Sequence, residues 1–299
     1  MSVNHKSILA YMRLFRLPNL FTVPGDPVAG FLLASGGTLS PQLLPLGAAA
    51  LALYMAGLAL NDVVDRRKDA ELRPNRPIPS GAVSPRMATT LAVLGFVTGD
   101  LLAFAAGGWR TLLAALALTG LILLYNLALK RYPFPGSLCM GCCRAGSVFL
   151  GASCFGTANV ATLGLMAFMV VYIASLTAAA FDEEHKTRAD LGAFALPAVL
   201  ALTAAAAALL LPWPPPGQML CAALALAIAL CDSLRSTLRL HRGTISVPAN
   251  IGQHIRALIL VQGAAAAYAL ALPYDILAVV DFGLLWLVAQ RAGARFYGS

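Results

Sequence analysis

Apolar residues run along this chain in long stretches, and polar residues collect in the gaps between them. Stretches of roughly 18 to 24 residues, enough helix to cross a hydrocarbon core of about 30 Å, recur near residues 19–36, 43–62, 86–106, 111–129, 138–156, 159–181, 191–211, 217–238, 250–271 and 275–291. The pattern predicts an all-α integral membrane protein of about ten spans. No Ser/Gly linker or charge run divides the chain, so residues 1–299 are expected to form one domain.

Composition agrees: 59% of residues are hydrophobic, 11% are charged, and the mean hydropathy is +0.77. A net charge of +8 would suit a nucleic-acid partner, but its distribution argues against one. Lys and Arg sit almost wholly in alternate loops, and with the N-terminus inside, all 21 except Arg110 fall on the cytoplasmic side. Arg291 and Arg295, after the last stretch, argue for an even number of spans. The loops at 62–85, 130–144, 182–190 and 235–256 then share the cytoplasmic face, where a site must open. The first fifteen residues carry His5, Lys6 and Arg13 without an apolar core and cleavage site, so no removable signal peptide is expected. Cys139-x-x-Cys142-Cys143 is the only spacing that hints at zinc; buried thiols packing between helices account for it better.

The second apolar stretch ends in Asn61-Asp62-Val-Val-Asp65-Arg-Arg-Lys-Asp69. At about 100° per residue, Asp65 and Asp69 lie about 300° and 340° round the helix from Asp62, so all three carboxylates share one face. Like charges on one face need a cation among them, most simply a divalent metal with oxygen ligands. The plainer account is a solvated helix end paired with Arg66, Arg67 and Lys68, but those residues project elsewhere. In Arg73-Pro-Asn-Arg76-Pro-Ile-Pro-Ser-Gly81, three prolines stiffen the backbone and hold two arginines where a diphosphate oxygen could reach them; a rigid turn with positive-inside arginines reads equally well. Tyr125 and Asn126 close the fourth stretch, and Lys130 and Arg131 follow it. Arg144 opens the fifth, where an unpaired cation is costly, so it needs an anionic partner from protein or ligand. Asp182, Glu183, Glu184 and His185 end the sixth, and the carboxylates could supply ligands for an ion. Asn19 suits either a helix cap or a substrate contact. Asp100 and Asp281, far from this cluster, are read as helix-packing acids, with a proton or ion relay as the alternative.

These residues resemble the UbiA superfamily of membrane-bound prenyltransferases. Asn61-Asp62-x-x-Asp65-x-x-x-Asp69 matches the family's first acidic motif in full. Arg76-Pro-Ile-Pro-Ser-Gly81 is similar to its loop, and Leu14-Phe15-Arg16-Leu-Pro-Asn19 to its N-terminal approach to the first span. The resemblance implies a bundle of about nine helices with a central cavity under a cytoplasmic cap. It also implies Mg²⁺-dependent transfer of an isoprenyl group from a prenyl diphosphate to a lipophilic or aromatic acceptor. Asp62, Asp65 and Asp69 would then hold Mg²⁺, and Arg76, Lys130 and Arg144 would offset charge on the leaving diphosphate. Asn19 and Asn61 would contact substrate, and the ring of Tyr125 would steady the allylic cation.

One motif departs from the family. Asp182 is followed four residues later by Lys186 where a second aspartate is usual, which leaves Asp182 and Glu183 as the expected ligands of a second ion. This change and the tenth span look more like the EboC-type branch, for which movement of a lipophilic precursor across the membrane has been suggested. A trafficking protein with reduced donor chemistry is therefore the alternative function.

Overall fold

The computed structural model describes residues 5–181 and 194–297, and every regular element among them is helical. In chain order these are α1 (His5–Leu14), α2 (Leu17–Leu20), α3 (Gly25–Ser35), α4 (Leu43–Leu72), α5 (Pro85–Leu124), which runs on into a π-helical turn at Tyr125–Leu129, and α6 (Pro133–Ala152). After them come α7 (Val160–Phe181), α8 (Ala195–Leu210), α9 (Pro216–His241), α10 (Val247–Ala269) and α11 (Tyr274–Tyr297). Six of the described helices, α4, α5, α6, α7, α9 and α11, are long and apolar enough to cross a membrane.

Two of the expected stretches fall within α5, which is not one rod. Gly107 (φ −145°, ψ 15°) and Gly108 (φ 69°, ψ −149°) leave helical geometry, and the second is a conformation that only glycine adopts without strain. In a straight helix residues 100 and 119 would lie about 28 Å apart; here Thr119 Oγ1 donates to Asp100 Oδ1 at 3.2 Å. The chain therefore reverses at the glycine pair, and the stretches at 86–106 and 111–129 are the two antiparallel arms. The first expected stretch, 19–36, is also interrupted: α2 ends at Leu20, and α3 starts at Gly25 after Pro24.

Helix α3 organises the bundle. Its Phe31 joins a core with Leu46 and Leu53 of α4, Ala115 and Leu118 of α5 and Leu150 of α6. Its Ala29 and Leu33 face a second core around Met169 and Tyr172 of α7, Leu200 of α8 and Leu258 and Val261 of α10. The α3–α6 crossing is close because Gly30 lies against the Val148 carbonyl and Gly151 against that of Pro27, so a Cβ on either would collide with backbone. Small residues at such crossings let dispersion act over the whole contact where lipid offers no hydrophobic drive.

At one end, Ala10 and Leu14 of α1 pack on Ile78 and Val83 of the proline-rich loop and on Ala88 of α5. The loop is tied by Val83 N donating to Pro77 O at 2.9 Å, and Ser84 caps α5 by accepting from Met87 N. α1 and this loop thus lie across the end of α4 that bears the aspartates. The opposite end is closed by Gln42 Nε2 donating to Ala106 O at 2.7 Å and by Gly37 packed on the Ala269 carbonyl.

Candidate functional site

The acidic face of α4 forms as its spacing requires. Asp62 and Asp69 are buried, and the Asp65 side chain keeps 28% of its surface. The cations among them come from distant parts of the chain. Arg76 Nη1 donates to Asp69 Oδ2 at 2.7 Å and lies 3.8 Å from Asp62 Oδ1, while Lys130 Nζ lies 2.6 Å from Asp65 Oδ1. Arg66, as expected, points away, its guanidinium on the Val63 carbonyl.

Lys130 reaches α4 because the backbone before it widens. Lys130 N bonds to Tyr125 O, five residues back, at 2.9 Å. A π turn inserts one extra residue and so rotates the residues after it about the helix axis; such turns recur at functional sites. Asn126 within it is buried and accepts from Asn61 Nδ2 at 3.0 Å, so Asn61 holds the turn against α4. Tyr125 is half-buried beside the same carboxylates.

Sequence reasoning assigns Arg16 no role of its own. It is the one described non-glycine residue with positive φ (φ 47°, ψ 56°), at the break between α1 and α2. Its charge acts on both Asp62 and Tyr125. Backbone strain tends to persist where function uses it, and this strained residue brings a positive charge near the carboxylate face. Three residues on, Asn19 is buried within α2 and is therefore no helix cap; its Oδ1 has no hydrogen-bond partner.

Arg144 meets an anion within the protein. The anionic partner it needs is Asp26, fully buried, whose Oδ2 lies 2.7 Å from Arg144 Nε. Gln262 Nε2 donates to Asp26 Oδ1 at 2.6 Å and to Thr22 O at 2.7 Å, and Arg144 Nη2 also donates to Thr22 O. The group ties α3, α6 and α10 together inside the bundle, and in this state it engages Arg144 with protein partners. Sequence reasoning passes over Asp26 and Gln262. An ionisable residue inside an apolar span is the available signal, the same one that singles out Arg144.

The expected ligands Asp182 and Glu183 lie outside the described residues, as do Glu184, His185 and Lys186. Among the described residues no three His, Cys, Asp or Glu side chains converge as ligands for one ion. The donor set at Asp62, Asp65 and Asp69 still fits Mg²⁺ in kind. It offers hard oxygens only, and Mg²⁺ is commonly held by one or two carboxylates together with substrate phosphates. Asp62, no closer than 3.8 Å to Arg76, keeps acceptor capacity for such an ion. All six cysteines are free thiols; Cys139 is buried, Cys142, Cys143, Cys154 and Cys221 are part-buried, and Cys231 is exposed. Asp100 is held by Thr119, and Asp281 is exposed.

The family model for the UbiA prenyltransferase family matches residues 27–192, more than half of the chain. The chain belongs to this integral membrane family. The digeranylgeranylglyceryl phosphate synthase of Saccharolobus solfataricus is 32% identical over 154 residues, covering 51% of this chain and 54% of that protein. The first curated relatives are matched over only 54 to 60% of their length. Among solved structures, the fold is similar to a UbiA homologue from Aeropyrum pernix K1 (TM-score 0.63, 21% identity, 82% of this chain and 96% of that one). It is also similar to a UbiA homologue from Archaeoglobus fulgidus bound to DMAPP and Mg²⁺ (TM-score 0.60, 15% identity, 96% and 98%).

Proposed function

We propose that this protein is a prenyltransferase that ionises a prenyl diphosphate at the acidic end of α4 and passes the prenyl group to a lipophilic acceptor within the bilayer. The observation that carries this reading is the arrangement of Asp62, Asp65 and Asp69 on one face with Arg76 and Lys130 already seated on it, within a UbiA family chain. Asn19, Asn61 and Tyr125 complete the set that would meet the donor.

The chemistry rests on charge. Arg76 and Lys130 neutralise carboxylates in this state and would turn to the diphosphate oxygens when these arrive, with Arg16 adding a further positive charge. Bound Mg²⁺, held by Asp62, Asp65 and Asp69, and by Asp182 and Glu183 if a second ion binds, would supply Lewis-acid stabilisation of the leaving diphosphate. The bond between prenyl C1 and the diphosphate oxygen breaks, and its electron pair leaves with the diphosphate. The allylic cation is shielded from water by the apolar helices and faced by the Tyr125 ring. A nucleophilic oxygen or carbon of the acceptor bonds to C1 and gives up its proton to the released diphosphate or to water. The loops carrying these groups also carry the basic residues, which supports a cytoplasmic site.

The relatives' name, a glyceryl phosphate carrying two geranylgeranyl groups, makes geranylgeranyl diphosphate the first donor to test and a prenylated glyceryl phosphate the first acceptor. Purified protein with Mg²⁺ is expected to convert labelled donor into prenylated acceptor and diphosphate, and Asp65→Ala to abolish this. Donor binding without diphosphate release across lipid alcohols and aromatic acceptors would instead favour the trafficking reading.

A further inference from the structure

At the end of the bundle away from the acidic cluster, one cation stands apart. The turn at Gly107–Gly108, the loop before α4 and the ends of α3 and α10 share this rim through the Gln42–Ala106 and Gly37–Ala269 contacts. Tyr268 Oη donates to Pro212 O at 2.8 Å, which adds the α8–α9 connection to it. Trp109, 70% exposed, meets Phe104 edge-on with ring centroids 5.3 Å apart, and Trp213 and Tyr274 are exposed on the same rim. Exposed Trp and Tyr in a ring at one end of an apolar bundle mark the depth of lipid headgroups. Arg110, next to Trp109, lies at that depth.

Arg110 is exposed, and among the described residues no carboxylate lies within ion-pair distance of it. Its guanidinium lies beside Gly156, where an added Cβ would come within 3.0 Å of Nη1. Arg110 also lines an apolar groove of about 500 Å³ between the second arm of α5 and the end of α6, with Leu113, Ala117, Phe149 and Phe155 along its walls. Seated beside the groove at headgroup depth, a planar cation with unused donors matches a phosphate, and the groove beneath it matches an acyl chain.

We propose that this groove is a binding site for an anionic phospholipid of the leaflet opposite the acidic cluster, with the lipid phosphate on Arg110 and one acyl chain along Phe149 and Phe155. The site is independent of the prenyl chemistry. Its role would be to fix the two α5 arms against α6 at the far rim.

The test uses the full chain, delipidated in detergent and titrated with phosphatidylglycerol or phosphatidylcholine under native mass spectrometry. One phosphatidylglycerol is expected to bind more tightly than any phosphatidylcholine. Arg110→Gln is expected to weaken it by about ten-fold, the scale of a lost charge-assisted contact. Ala117→Trp, which fills the groove and leaves the guanidinium, is expected to weaken both lipids. Both positions are exposed, so folding is expected to survive, and unchanged melting confirms it. Equal binding of the two lipids by the wild type, or undiminished phosphatidylglycerol binding in Arg110→Gln or Ala117→Trp, would overturn the proposal.

Discussion

Two regions of this protein pair carboxylates with arginine, and they do so to opposite ends. In the Asp26–Arg144–Gln262 group, Asp26 has no exposed surface, both its oxygens are engaged, and both of its partners also hold the Thr22 carbonyl. At the Asp62–Asp65–Asp69 face, the Asp65 side chain is part-exposed and Asp62 meets its cation only at 3.8 Å. The partners there are a loop arginine and a lysine on a widened turn. A closed pair in low dielectric is a fastener, costly to leave half made. An open one, whose cations can be drawn off by a stronger anion, is a binding site. On the proposed function the same residue types give structure in one place and chemistry in the other, and the difference lies in how many of their donors and acceptors are already used.

Asp65→Ala separates the two regions most widely. It is expected to lower prenyl transfer by about 1,000-fold or more, the scale of losing a principal electrostatic contact, while thermal melting in detergent stays near wild type because Asp65 is part-exposed. Asp26→Leu should do the reverse. Leaving Arg144 unpaired in the interior is expected to cost about 3 to 5 kcal/mol of stability, read as an early unfolding transition, and Asp26→Leu with Arg144→Met should restore most of it. If the single variant melts normally but loses donor binding, the interior group belongs to the site after all. Arg16→Gln, which removes one outlying charge, is expected to raise the donor KM by about ten-fold with a smaller change in kcat. Arg66→Gln, on the same helix as the aspartates but turned to the Val63 carbonyl, is expected to change neither melting nor kinetics.

Local periodicity is the part of this structure that the sequence makes legible. Helical spacing places three aspartates on one face, and apolar run lengths mark the helices, including both arms of α5, which the structure joins only through Gly107 and Gly108. The need of Arg144 for an anion is also readable, because burial of a cation is a local cost. The identity of that anion is not, since Asp26 lies 118 positions away and meets it only through the α3–α6 crossing. For the same reason Arg76 and Lys130, assigned by sequence to a ligand, are found on the carboxylates. The π turn at Tyr125–Leu129 and the left-handed backbone of Arg16 have no compositional signature.

Whether the open carboxylate face is a donor site is decided most sharply by calorimetric binding of geranylgeranyl diphosphate to the purified full chain. The titration is run with Mg²⁺ and with excess chelator, for the wild type, Asp62→Ala and Asp65→Ala. Saturable binding to the wild type that needs Mg²⁺, and is lost in both variants while their melting is preserved, is the expected result. Binding that ignores Mg²⁺, or that persists undiminished without either carboxylate, would contradict it.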